Sequence, residues 1–331
     1  MRYSIVIITA DKHNILKNCL DRLFEYEIDK KAEIIVVDAS QNHFVYDKIN
    51  KIKYIKIAPE EKGFSNQRNI GVKNASGEFV IFIDDDVEIT EDWFKKLTKE
   101  FENCKDRTFG AMGALFPKQN NITSFICGVL GHPGGGFKLH NFSKNRIIPL
   151  SQVATCNTVF NKQIIEEVGM FDVNNKFGSE DSELCLRIIR KYGYNKFVYI
   201  PMAVAFHYSP DKFHKFVKWY VRRGMADIDL YLRHSTHLSY VVKTSIVLRI
   251  FPFLILGIFN KKILLFSFVL YYLWQLFKHR FMCKYFSYYN FKFYEKLCSF
   301  FVFPIFKLIA DILFDYGRTK RIFNVKLKKE I

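Results

Sequence analysis

Short apolar runs alternate with amphipathic segments along the first 116 residues, and few architectures accept that pattern. The runs are Tyr3–Thr9, Glu33–Ala39, Tyr54–Ile57, Glu78–Ile83 and Phe109–Phe116. Helical periodicity marks Asn14–Tyr26, Ser65–Ala75 and Glu91–Phe101 between them. The alternation predicts an α/β domain with a mostly parallel sheet and ligands at the carboxyl ends of its strands. Further on, the pattern predicts a strand over Ala154–Phe160 and a helix over Ser179–Tyr192. Two short strands follow, Phe197–Ile200 and Val204–His207.

At Ser209-Pro210 the pattern changes. Of a net charge of +17, residues 1–210 hold 28 basic against 26 acidic side chains, whereas residues 211–331 hold 22 against 7. Asp211–Arg233 reads as one basic amphipathic helix with Phe213, Phe216, Tyr220, Met225 and Ile228 toward one side. Three apolar stretches follow, Ile250–Asn260, Ile263–Phe277 and Leu297–Phe306, interrupted by Arg249, Lys261, Lys262 and Lys278. Each falls short of the ~18–20 uncharged residues of a spanning helix, which predicts in-plane or re-entrant helices. A basic, aromatic region suits either nucleic acid or an anionic membrane. Because these aromatics lie inside aliphatic runs and not in a polar groove, the reading is an anionic membrane surface and no nucleic acid. Lys212, Lys215, Lys218, Arg222 and Arg223 would face its headgroups, and the tail Arg318–Lys329 adds a further basic cluster. Two regions are therefore expected: a catalytic domain over 1–210 and a membrane-associating helical region over 211–331. Seven scattered cysteines with no C-x-x-C pair suggest a reducing compartment and no structural zinc. The chain opens directly into a strand with no signal-peptide pattern, so the catalytic part is expected at the cytoplasmic face.

The run Gly77-Glu-Phe-Val-Ile-Phe-Ile-Asp84-Asp85-Asp86-Val87 places three aspartates directly after a buried strand. Like charges this close raise one another's pKa unless something positive stands among them. A divalent cation on oxygen ligands, Mg²⁺ or Mn²⁺, is one neutraliser; a solvated acidic turn before the next helix is the plainer account. Glu180 and Asp181 open a second helix. Dipole complementation explains them by itself, and a general base at the mouth of a cleft is the functional account. His207, alone at a strand end, is either structural or a third metal ligand. The run Gly131-His-Pro-Gly-Gly-Gly136 lacks the Gly-Lys-Ser/Thr ending of a P-loop and reads as a loop. With Asn141–Arg146 it is expected to frame the acceptor.

Taken together, these segments resemble the inverting family 2 glycosyltransferases of GT-A fold, over residues 2 to 210. Ser4-Ile-Val-Ile-Ile-Thr9-Ala is similar to the family's first nucleotide-binding strand, and Ile34-Ile-Val-Val-Asp38-Ala-Ser40 to its second. Lys62-Gly63-Phe-Ser-Asn-Gln-Arg68-Asn69-Ile-Gly71 resembles its Lys-Gly…Ala-Arg-Asn-x-Gly segment. Gly77 to Asp86 resembles the strand ending in the Asp-x-Asp motif. Val168-Gly-Met-Phe171-Asp172, with Glu180-Asp181 after it, resembles the Gly-Phe-Asp…Glu-Asp segment. The resemblance implies a nucleoside-diphosphate sugar as donor, contacted by Thr9, Asp38, Arg68, Asp84 and Asp85. It implies a divalent cation on Asp84, Asp86 and His207, and Asp181 as the general base. That reverses the balance for the acids at the helix start in favour of catalysis.

Two departures matter. The first strand continues as Thr9-Ala10-Asp11 in place of the usual Tyr-Asn or Pro-Thr-Tyr, and the Gln-x-x-Arg-Trp motif of processive synthases is missing. The expectation is transfer of one sugar, or a few, to a lipid-linked or other glycan acceptor. Competing readings are a nucleotide-sugar binder or nucleotidyltransferase without glycosyl transfer, and a membrane-surface scaffold with a degenerate catalytic domain.

Overall fold

The structure, a computed structural model, describes residues 1–175, 178–234 and 243–327. Phe177, which precedes the Glu-Asp pair, and Lys328 and Lys329 of the basic tail lie outside them. The chain divides into two compact units. One comprises Met1–Lys118, Gly131–Lys176 and Glu180–Tyr208; the other comprises Gln119–Leu130, Phe177–Ser179 and Ser209–Ile331. The segment 119–130 thus groups with the C-terminal residues, which a single division at residue 210 does not capture.

The first unit begins β1 (Tyr3–Thr9), α1 (His13–Glu25), β2 (Glu33–Asp38), β3 (Lys53–Lys56), α2 (Phe64–Asn74) and β4 (Phe79–Asp84). It continues through β5 (Val87–Ile89), α3 (Trp93–Glu102) and β6 (Gly110–Pro117). After α4 (Ile122–Leu130), which belongs to the second unit, come α5 (Gly136–Ser143), β7 (Ile148–Leu150), β8 (Asn157–Asn161) and α6 (Lys162–Glu167). The unit closes with α7 (Glu180–Tyr192) and β9 (Phe197–His207). Residues 136–143, expected partly as loop, are helical.

The strands form one sheet in the order β3-β2-β1-β4-β8-β6-β9-β5, with β7 also on β9. From β3 to β4 all pairings are parallel, as the βα alternation requires; β8 then runs antiparallel to both β4 and β6. Strands β1, β2 and β4 are buried on both faces, so they read as continuous Ile/Val/Phe runs, whereas the edge strand β3 is partly exposed. Helix α2 lies against β1 at Gly71, where a Cβ would come within 2.3 Å of Val6 Cγ1. Gln67 pins its start by donating to the carbonyls of Thr9 (2.8 Å) and Val37 (3.1 Å).

The two short strands expected near 197–207 are one, β9. Its register against β6 jumps from Gly113↔Ile200 to Ala114↔Val204, so Pro201, Met202 and Ala203 bulge from the ladder. Proline has no N–H to give there, and Gly113 leaves room for the Ala203 carbonyl, which a Cβ would meet at 2.4 Å.

The second unit contains α4, α8 (Phe213–His234), α9 (Ile246–Phe259), α10 (Lys261–Lys278) and α11 (Phe293–Leu327), with a 3₁₀ segment at Arg280–Tyr288. Helices α8 and α11 cross at Gly224 and Gly317, so tightly that a Cβ on either would fall about 2 Å from a backbone carbonyl of the other helix. Beside the crossing, Arg318 pairs with Asp227 (2.7 Å) and Asp315 (3.0 Å), and Arg321 pairs with Asp229. Buried charges of this kind persist because each has its partner.

Leu297–Phe306, expected as a short apolar stretch, belongs to the 35-residue α11. Lys307 and Asp311, which interrupt the apolar sequence, pair with each other one turn apart. By length and composition, Phe293–Asn324 can cross a membrane. Helices α9 and α10 expose apolar side chains almost all round, among them Leu248, Phe251, Ile258, Phe259, Leu265 and Phe266. An apolar surface that large marks an interaction face.

Candidate active site

Strands β1, β2 and β4 end side by side, and the site is built at their ends. Register sets Thr9 beside Asp38 and Ile8 beside Asp84. Strand β5 turns back antiparallel to β9 with Val87 opposite His207, and the Tyr208 amide donates to the Asp86 carbonyl at 3.2 Å. This short ladder delivers a histidine from the end of the unit to the aspartates. His207 Nε2 lies 3.2 Å from Asp86 Oδ1 and 3.5 Å from Asp84 Oδ2. One donor atom from each of the three side chains lies within 4.8 Å of the other two. Two carboxylates and an imidazole converging in this way fit a divalent cation such as Mn²⁺.

Protein cations balance the acids. Buried Arg68 donates to Asp84 Oδ1 at 3.2 Å and to Glu180 Oε1. Lys12 reaches Asp85 Oδ1 (3.1 Å) and Asp86 Oδ2 (3.2 Å), while the Thr9 hydroxyl donates to Asp85 Oδ2 at 2.7 Å. Burial opposes ionisation of Asp84, yet hydrogen bonding to His207 and the charge of Arg68 bring its pKa down to about 2. For Asp85 burial prevails, with Asp86 adding to it, and the pKa rises to about 6 in spite of Lys12. Burial also opposes the His207 imidazolium, but Asp86 and Asp84 raise it to about 9.

Asp38 is fully buried. Its Oδ1 accepts from the Ser40 amide at 2.7 Å; its Oδ2 accepts from the Tyr54 hydroxyl at 2.5 Å and lies 2.9 Å from His13 Nε2. Asp38 therefore underpins His13 and Ser40, which border an open hollow of about 380 Å³ together with Asp11, Lys12 and Asn42.

Asp181 opens α7 next to Glu180, accepts from the Ser182 amide at 2.7 Å, and stands near enough for its charge to act on Arg68. The segment 168–171 is tied to both α7 and α2. Arg187 joins Glu183 (2.7 Å) to the carbonyls of Val168 and Met170, and Asn69 exchanges hydrogen bonds with the Phe171 backbone.

The structure thus gathers Thr9, Arg68, Asp84, Asp85, Asp86 and His207 in one connected cluster, with Asp181 beside it and Asp38 one layer below the hollow. Sequence reasoning missed Lys12 and the part played by Glu180 as partner of Arg68. Lys12 was signalled by its place, three residues past Thr9 where the first-strand motif departs from the usual pattern.

Residues 4–169 match the family described as glycosyl transferase family 2. The chain is 26% identical over 193 residues to the dTDP-rhamnosyl transferase RfbF of Shigella flexneri, covering 57% of this chain and 63% of that one. It is 24% identical over 186 residues to the GalNAc(5)-diNAcBac-PP-undecaprenol beta-1,3-glucosyltransferase of Campylobacter jejuni, covering 54% and 55%. The matched regions therefore span less than two thirds of either relative. Among solved structures, residues 1–349 of S. aureus TarS in complex with UDP align with a TM-score of 0.49 and 15% identity, over 76% of this chain and 77% of that one. The family match takes in half of the chain and ends within the segment that fastens α7, and on that ground the chain belongs to glycosyl transferase family 2.

Proposed function

We propose that this protein transfers a single sugar from a nucleoside-diphosphate sugar to a hydroxyl of a lipid-linked or other glycan acceptor, inverting the anomeric carbon. The observation that carries the reading is the convergence of Asp84, Asp86 and His207 at the strand ends, next to Arg68. These three would hold Mn²⁺ or Mg²⁺, which when bound offsets the charge gathering on the departing diphosphate. Thr9 and Asp85, joined by their hydrogen bond, line the donor side together with Arg68 and the His13–Ser40 rim that Asp38 supports. Arg68, buried between Asp84 and Glu180, fixes the direction of both carboxylates. Asp181 takes the acceptor's proton as its oxygen attacks from the face opposite the leaving group. That geometry converts an α-linked donor into a β-linked product.

Residues 1–210 hold this chemistry in our reading, and 211–331 attach it to the cytoplasmic face of the cell membrane. The exposed apolar faces of α9 and α10 and the surplus of basic residues support that attachment. The absence of a Gln-x-x-Arg-Trp motif supports a single addition, and an undecaprenol-linked acceptor in one relative's name supports a lipid-linked one.

The test is calorimetric titration of detergent-solubilised protein with UDP, GDP and dTDP, with and without Mn²⁺, alongside Asp86→Asn and Asp181→Asn. One nucleotide should bind in a metal-dependent way, and Asp86→Asn should abolish it. Asp181→Asn should still bind the donor while transfer falls about 10²–10⁴-fold. Unchanged transfer in Asp181→Asn would remove the general base, and a folded protein that binds no nucleotide would remove the donor site.

A further inference from the structure

Lys12 has no assigned duty in the reading above. Its ammonium stands within 3.2 Å of both Asp85 and Asp86, while its side chain remains 46% exposed beside the hollow bordered by His13, Ser40 and Asn42. Both oxygens of Asp86 have protein partners, Oδ1 the His207 imidazole and Oδ2 the Lys12 ammonium. A divalent ion approaching Asp86 meets a positive charge already seated on one of its own ligands, and repulsion between the two lowers its affinity. A diphosphate changes that balance, because its oxygens offer the ammonium another partner on the solvent side. A half-exposed lysine on a four-carbon stem can make such an exchange without unfolding anything.

We infer that Lys12 is an internal counter-ion shared between the aspartates and the donor's diphosphate, so that the divalent cation and the nucleoside diphosphate each bind better once the other is present. Linkage requires the enhancement to be the same from either side. The inference rests on the donor-site reading given above. It assigns Lys12 a binding and positioning role.

The test uses the full-length protein and three sets of titrations: Mn²⁺ alone, then UDP, GDP and dTDP alone, then each nucleotide at saturating Mn²⁺. Wild type should show enhancement of about tenfold or more for the nucleotide it accepts. In Lys12→Gln, Mn²⁺ alone should bind about fivefold tighter, the nucleotide alone should bind more weakly, and the enhancement should fall by the factor gained by Mn²⁺. Lys12→Arg, which keeps the charge, should stay near wild type and also serves if the Gln variant folds poorly: an Arg variant with enhancement abolished despite a normal melt would count against the exchange. Wild type that binds a nucleotide, with a folded Lys12→Gln matching it in every titration, overturns this inference alone. Wild type that binds no nucleotide even with Mn²⁺ overturns the donor-site reading and takes this inference with it.

Discussion

Asn69 and Phe171, 102 residues apart, hold each other by two opposed hydrogen bonds: the Asn69 amide donates to the Phe171 carbonyl at 2.8 Å and accepts from the Phe171 N–H at 2.9 Å. Two segments that look independent in the sequence are thereby one piece of architecture. The helix carrying Arg68 is fastened to the loop that leads toward Asp181.

Asn69→Ala removes both bonds and leaves a half-buried backbone pair without its partner. The expected loss is about 1–3 kcal/mol of stability, read from denaturant unfolding. Transfer should suffer more than donor binding, since the released segment lies ahead of the helix that carries the proposed base. A variant equal to wild type in both stability and turnover would show that the clamp positions nothing.

Metal binding should release a proton. His207 in the metal-free protein titrates at about 9, so at pH 7 it is charged, and a ligand nitrogen must be neutral. Mn²⁺ affinity should therefore rise with pH up to about 9 and level off above it. Calorimetry at pH 7 in buffers of different ionisation enthalpy should give about one proton released per ion; none released would mean that His207 is no ligand. The same shift contributes to the pH trend of the metal-free fold. A histidine raised from 6.5 to about 9 lends stability that is whole below 6.5 and lost as pH climbs through 9. Asp84, lowered from 3.8 to about 2, lends stability that is whole above 3.8 and lost as pH falls through 2. In His207→Gln the alkaline decline should flatten.

The crossing of α8 and α11 admits no side chain. Gly224→Ala would drive a methyl to 2.0 Å from the Phe314 carbonyl, and Gly317→Ala to 2.2 Å from that of Val221. Both offenders are backbone atoms, so the helices must part. Each variant should cost about 1–3 kcal/mol and open the C-terminal unit to limited proteolysis. An unchanged digestion pattern would contradict the close approach.

Washing membranes with high salt should release little of the protein, because salt screens the basic residues but not apolar burial. Complete release would mean that the attachment is electrostatic only.

Much of this was legible in the sequence. Buried parallel strands announce themselves as apolar runs, and the predicted run Tyr3–Thr9 coincides with β1. The Asp84–Asp86 cluster stood out because three adjacent acids after a buried strand demand compensation. What compensates them was harder to read, since Lys12 and Arg68 owe their positions to packing across the sheet and no spacing rule reports it. The two short strands expected over 197–207 are one because the register against β6 shifts around Pro201, Met202 and Ala203, and Gly113 on the neighbouring strand leaves room for the Ala203 carbonyl, which no linear pattern reports. Helix α11 was under-read for a related reason. Lys307 and Asp311 count as two interruptions in a linear scan and cancel as a pair on the helix surface.

The place of β9 in the sheet imposes an order of events during synthesis. Strands β1 to β4 are complete once residue 84 has been made, and they can pair among themselves as they leave the ribosome. Asp84 and Asp86 then wait for His207, which arrives only after every other strand of the sheet has been translated. Of the side chains that bear on Asp84 and Asp86 in the fold, Lys12 and Arg68 are therefore made early and His207 last.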